Sequence, residues 1–70
     1  MMETTIKYYE GRKCRNIKYN IIEIIVGLGL MKVNGEWIES VTYKGKCRFT
    51  GKTKMYTKSL TEFENEFELI

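Results

Sequence analysis

The 70-residue chain has no proline, alanine, histidine, aspartate or glutamine, and only two cysteines, Cys14 and Cys47. Each absence excludes something. Transition-metal sites draw on imidazole and thiolate, so a chain without histidine and with two distant cysteines offers no metal site. The same lack removes the usual base for a serine or cysteine nucleophile, which argues against an enzyme. Two cysteines can close at most one disulfide, which is not a disulfide framework, and they read as reduced thiols of a cytosolic protein. With no alanine and only four leucines, a helical bundle is a poor fit. The longest apolar run, Ile21 to Met31, is interrupted by Glu23 and is about half the roughly twenty residues that a membrane-spanning helix requires. The first residues, Met1-Met2-Glu3-Thr4-Thr5, carry no basic stretch leading into an apolar one. No targeting segment and no membrane partner are therefore expected, and a cytoplasmic location is.

What is present favours strands. Valine, isoleucine, threonine and the aromatics together make up 27 of the 70 residues. A 43% apolar and 30% charged composition is that of a folded chain, and its length allows one small domain spanning 1–70. The charge is divided unevenly. Residues 1–58 hold all twelve Lys and Arg against five Glu, a balance of +7, while residues 59–70 hold four Glu and no base. The pattern is a basic body with an acidic tail.

The clearest local signal is Asn34-Gly35. Both central positions of a type I′ turn need positive φ, which this pair tolerates, so a two-residue hairpin is expected here. The turn fixes the register: Val33 opposite Glu36, Lys32 opposite Trp37, Leu30 opposite Glu39 and Leu28 opposite Val41. One face then carries Leu28, Leu30, Trp37, Val41 and Tyr43, which is the expected core. Val41 to Phe49 alternates, with Cys47 and Phe49 continuing that face and Lys44, Lys46 and Arg48 pointing away. Strands are also expected over Thr4–Tyr9, Lys13–Tyr19, Ile21–Val26 and Lys54–Lys58, with turns at Glu10-Gly11 and Thr50 to Thr53. At the C-terminus the period changes. Ser59-Leu60-Thr61-Glu62 fits a capping box, and Leu60, Phe63 and Phe67 then make one stripe of a short helix over about 60–67. Such a helix is too short to hold alone and should lie as a lid on the sheet. The fold class that follows is mainly β: a small, strongly bent antiparallel sheet or SH3-like barrel with one short C-terminal α-helix.

Two stretches resemble a known pattern. Asn34, Gly35, Trp37, Ile38, Val41 and Tyr43, followed by Tyr56-Thr57-Lys58-Ser59-Leu60-Thr61-Glu62-Phe63 and Phe67, resemble the small uncharacterised bacterial and phage proteins of the DUF1653 type. The resemblance covers about residues 34–67 and departs where that family has arginine, since position 58 is lysine. It implies a small barrel and no particular chemistry.

Other motifs fail on inspection. Gly51-Lys52-Thr53 copies the end of a phosphate loop, but position 46 is Lys where that loop needs Gly, and a strand follows where it needs a helix. Gly27-Leu28-Gly29 has neither the third glycine nor the helix of a dinucleotide fingerprint. No cofactor is implied. The strongest remaining feature is the acid-free stretch 40–58, whose bases Lys44, Lys46, Arg48, Lys52, Lys54 and Lys58 form a candidate binding surface. Tyr8, Tyr9, Tyr19 and Tyr56 would supply stacking surfaces beside it. The expected function is a non-catalytic binding module. Small size, the resemblance and a Lys-, Ile-, Asn- and Tyr-rich usage point to a phage or other mobile element. Its partner would be a host protein or nucleoprotein, for example a defence or replication factor that it inhibits. The alternative is a nucleic-acid-binding protein using the basic surface of residues 44–58, and homo-oligomerisation through an edge strand is a third arrangement.

Overall fold

The Asn34-Gly35 turn forms as its sequence requires, with φ of 51° and 83° at the two positions. The computed structural model describes residues 7–47 and 49–70. Five strands among them form one antiparallel sheet: β1 (Lys13–Asn16), β2 (Ile21–Val33), β3 (Glu36–Lys46), β4 (Thr53–Ser59) and β5 (Phe67–Leu69). A short helix, α1 (Leu60–Glu66), joins β4 to β5. The strand order is β4-β3-β2-β1-β5, so β4 and β5 form the two edges and the sheet is open rather than closed into a barrel.

The β2–β3 register is the one the turn dictates, from Val33 opposite Glu36 to Leu28 opposite Val41. It then shifts by one residue, because β2 bulges between Ile25 and Gly27. The bulge has a packing consequence. It places Ile25 opposite Tyr43 and Leu28 opposite Val41, so residues three apart in β2 point to the same face. That face carries the core: Ile25, Val41 and Tyr43 from the hairpin, Cys14 from β1 and Phe67 from β5, closed by Tyr8 and by Phe63 of α1.

Helix α1 begins as its sequence specifies, with Ser59 Oγ accepting the Glu62 backbone N–H at 3.2 Å. Only half of the capping box forms. Instead of reaching back to the Ser59 amide, the Glu62 carboxylate accepts from the Ser59 hydroxyl at 3.3 Å. The helix ends one residue early because Phe67 turns extended and pairs with Asn16. Strand β5 then runs along β1, and the acidic tail folds back onto the basic body. Glu66 pairs with Lys58 at 3.1 Å, Glu68 pairs with Arg15 at 3.3 Å, and Glu64 accepts from the Tyr8 hydroxyl at 3.1 Å. These pairs are half exposed and contribute little each, about 0–1 kcal/mol.

Several expectations need correction. Trp37 is not in the core: it is 64% exposed, and Leu30 beside it is 65% exposed. Both lie on the core face as the turn requires, but nothing covers that face so far along the hairpin. The thirteen residues of β2 run along most of the 34 Å length of the molecule. The seven of α1 span about 10 Å, so the lid reaches only the inner part. Phe49 is 95% exposed, because β3 ends at Lys46 and the following turn carries Phe49 away from the sheet. Of the strand expected over Thr4–Tyr9, residues 4–6 lie outside the described residues, and Tyr8 and Tyr9 are not in a strand. Residues 17–19, expected in a strand, instead belong to a turn over 17–20 in which Asn20 N–H donates to the Asn16 carbonyl at 2.7 Å.

Candidate functional site

Three surface features remain once the core is assigned: the basic residues, the end of the hairpin, and a cleft between the two turns at the opposite end of the sheet.

The basic residues do not form one ladder. Along β3, Lys44 and Lys46 alternate to the face opposite the core, with Lys44 paired to Met55 and Lys46 to Thr53, and Lys46, at the end of the strand, also lines the cleft described below. Lys54 and Lys58 pair with Gly45 and Val41, so they lie on the core side instead. Lys58 is engaged there by Glu66. Lys52 belongs to the β3–β4 turn, and Arg48 lies outside the described residues. The face opposite the core gains bases that sequence spacing alone did not join to it. Lys13 pairs with Ile24, which pairs with Lys44, so two lysines flank one isoleucine in a row across three strands. Arg15, opposite Ile22, adds a charge answered by Glu68. The signal for Lys13 was its parity in β1, readable only once β1 is known to pair with β2.

The outer end of the β2–β3 hairpin is an arm. β1 pairs with β2 only from Ile21 to Ile24, and β4 pairs with β3 only from Ser40 to Lys46. Residues 30–39 therefore form a two-stranded ribbon with no strand on either side among the described residues. Its exposed apolar groups are Leu30, Val33 and Trp37, and Lys32 Nζ sits 5.7 Å from the Trp37 ring. A groove lined by Leu30, Trp37, Glu39 and Leu60 separates the arm from the start of α1.

At the other end, the β1–β2 and β3–β4 turns enclose a cleft of about 250 Å³. Tyr19, Tyr43 and Tyr56 form its walls, with the Tyr43 and Tyr56 rings stacked at 5.5 Å, and the exposed Phe49 stands at its mouth. Glu23 lies in its floor. A Cβ on Gly45 would stand 2.5 Å from Glu23 Oε2, so the carboxylate occupies the space that glycine leaves open. Among the described residues, Glu23 has neither a hydrogen bond nor an ion pair through its side chain. Burial holds its pKa above the ordinary carboxylate value, offset in part by the charge of Lys58. The native state thus binds this proton more tightly than the unfolded chain does, and stability falls as pH rises above the ordinary carboxylate range. Glu23→Gln is accordingly expected to melt at a higher temperature than the unchanged chain at pH 7. The two should converge below about pH 3.5, where the glutamate is protonated in the folded and the unfolded chain alike. A lower melting temperature for the variant at pH 7 would contradict this.

The two cysteines are free and unlike each other. Cys14 is fully buried, and burial, followed by the charge of Glu23, pushes its thiol up to about 11. Cys47 stands at the cleft rim, where hydrogen bonds from the Thr50 side chain, then from the Thr50 and Phe49 backbone, lower it to about 7. At pH 7.5 iodoacetamide should therefore modify Cys47 and leave Cys14 untouched in the folded chain. Peptide mapping that finds equal modification would refute the burial of Cys14.

Tyr8, expected as a stacking surface, is buried, and its hydroxyl is raised to about 12 by burial and by Glu64. Tyr9, Tyr19 and Tyr56 are exposed. Among the described residues, no helix is long and apolar enough to cross a membrane.

No family model, curated protein or solved structure matches the chain.

Proposed function

We propose that this chain is a non-catalytic binding module that docks on a protein through its hairpin arm. The observation that carries this reading is the exposure of Trp37 and Leu30, side by side on a ribbon that projects beyond the covered core. An exposed tryptophan adds nothing to a core, but it is among the residues most often found as binding anchors, where it fills a desolvated pocket. Charge indicates the kind of pocket. The arm bears Glu36 and Glu39 against one base, Lys32, which is drawn over the Trp37 ring. An acidic arm on a basic body fits an apolar groove rimmed by bases on another protein. It fits a second copy of itself poorly, since two arms would bring their glutamates together. Anionic lipid would repel the same glutamates. A mobile-element protein that occupies and inhibits a host protein would work in this way, needing no chemistry of its own.

The test is site-specific crosslinking with a photoreactive residue at position 37, and at position 13 as the control, in extract of the native cells. A single adduct at 37, absent at 13, is expected. The captured protein, once purified, should bind the chain one to one and lose that binding when Leu30→Asp is introduced. Binding unchanged by Leu30→Asp and Trp37→Ala would overturn the reading.

A second reading, nucleic-acid binding, is favoured by a different observation. Lys13, Lys44 and Lys46 share the uncovered face, and Lys46, Lys52 and Lys54 lie around the turn that borders the cleft.

A further inference from the structure

The cleft combines three features that the arm does not explain. Its walls are aromatic, its floor is a carboxylate with neither a hydrogen bond nor an ion pair among the described residues, and two bases flank it: Lys46 in its lining and Lys54 opposite Gly45. A ligand that satisfies all three must be flat, must present hydrogen-bond donors to Glu23 and must carry negative charge outside. A simple alkylammonium would meet the first two but not the third, because Lys46 and Lys54 would repel it. A nucleotide meets all of them.

The four bases differ at the edge they would present. An ionised carboxylate takes two hydrogen bonds best from two adjacent donors. Guanine alone offers such a pair, N1–H and N2–H, whereas adenine and cytosine present one amino group beside an acceptor, and uracil one N–H between two acceptors. Asn16 strengthens the choice. It lies on the same face of β1 as Cys14, the residue opposite Glu23, and so is a diagonal neighbour of Glu23. Its Oδ1 already accepts the Tyr19 backbone N–H at 3.0 Å, which leaves its NH₂ group as a donor. A donor beside a double acceptor is the complement of guanine O6, N1–H and N2–H.

We infer that the cleft between the β1–β2 and β3–β4 turns binds an unpaired guanine of a single-stranded nucleic acid, with Glu23 and Asn16 reading the base edge, Tyr19 and Tyr56 stacking on it, and Lys46 and Lys54 meeting the flanking phosphates. This rests on the second reading above and is independent of what the arm binds. Gly45 belongs to the site, because only a residue without a side chain leaves Glu23 its place. The clash at position 45 is with the Glu23 side chain from Cγ outward and with no backbone atom, so Gly45→Ala should turn that side chain aside and move the carboxylate while the strands stay paired.

The experiment uses the full chain and a fluorescent six-nucleotide uridine strand carrying one central guanosine, read by anisotropy. The guanosine strand is expected to bind about ten- to a hundredfold tighter than the same strand with adenosine, the range of one good bidentate contact. Glu23→Gln and Gly45→Ala should each abolish that preference while melting no lower than the unchanged chain, a pattern that a purely structural role would not give. Guanosine monophosphate should compete less well than the unlabelled strand, since it offers one phosphate to the rim. Equal competition would assign the cleft to a free nucleotide and overturn strand recognition. Equal binding of the guanosine and adenosine strands would overturn the inference while leaving nucleic-acid binding intact. Absence of binding to any strand would overturn both.

Discussion

Phe63→Ala is expected to unfold the domain. Phe63 is the one fully buried residue of α1, 1% exposed, and it holds the helix to the sheet through three rings. It stacks on Phe67 with centroids 4.5 Å apart and planes 4° from parallel, meets Tyr8 edge-on at 5.7 Å, and leans on Tyr43 at 5.6 Å. Removing a buried phenylalanine costs about 3–5 kcal/mol. The whole stability of a chain this size is about 4–10 kcal/mol. The loss also reaches further than one cavity. A helix of seven residues has no stability of its own, so releasing it frees Phe67 and the short β5 with it. Urea unfolding followed by circular dichroism should show the midpoint moved close to zero denaturant. A midpoint near that of the unchanged chain would mean that α1 is not the lid.

Trp37→Ala should do the opposite. A largely exposed side chain away from any cap or core contributes little, and the change in stability is expected within about 0.5 kcal/mol. Its cross-strand neighbour Lys32 loses only a surface cation–π contact. Binding is where the effect should appear. An aromatic anchor at the centre of an interface is worth about 2 kcal/mol or more, a loss of roughly thirtyfold or greater in affinity for the partner. A tryptophan whose removal unfolds the chain and a tryptophan whose removal spares the fold but abolishes docking belong to different proteins, and one pair of measurements separates them.

The fate of Trp37 also shows what a sequence can and cannot convey. Its face was legible, because Asn34-Gly35 admits one turn type and the turn sets the register for the whole hairpin. Its exposure was not, because that depends on how far a helix elsewhere in the chain reaches along the sheet. The same division recurs. The start of α1 was readable in Ser59 and Glu62, which act locally, but β5 was not. Three residues carry no period, and Phe67–Leu69 is a strand only because β1 offers it an edge. The basic residues were individually obvious, but their division between two faces follows from the β3–β4 register, which the turn around Gly51 does not announce. Glu23 was the least legible of all. In the sequence it interrupts an apolar run. In the structure it fills the gap over Gly45, a relation that depends on the bulge in β2 and on strand pairing across more than twenty residues.

Because Trp37 is the sole tryptophan, its fluorescence reports on the arm alone. Quenching by acrylamide in the free, folded chain should approach that of the urea-unfolded chain, stay independent of protein concentration, and fall sharply when the crosslinked partner is added. A tryptophan already shielded in the free monomer would contradict the account at its centre.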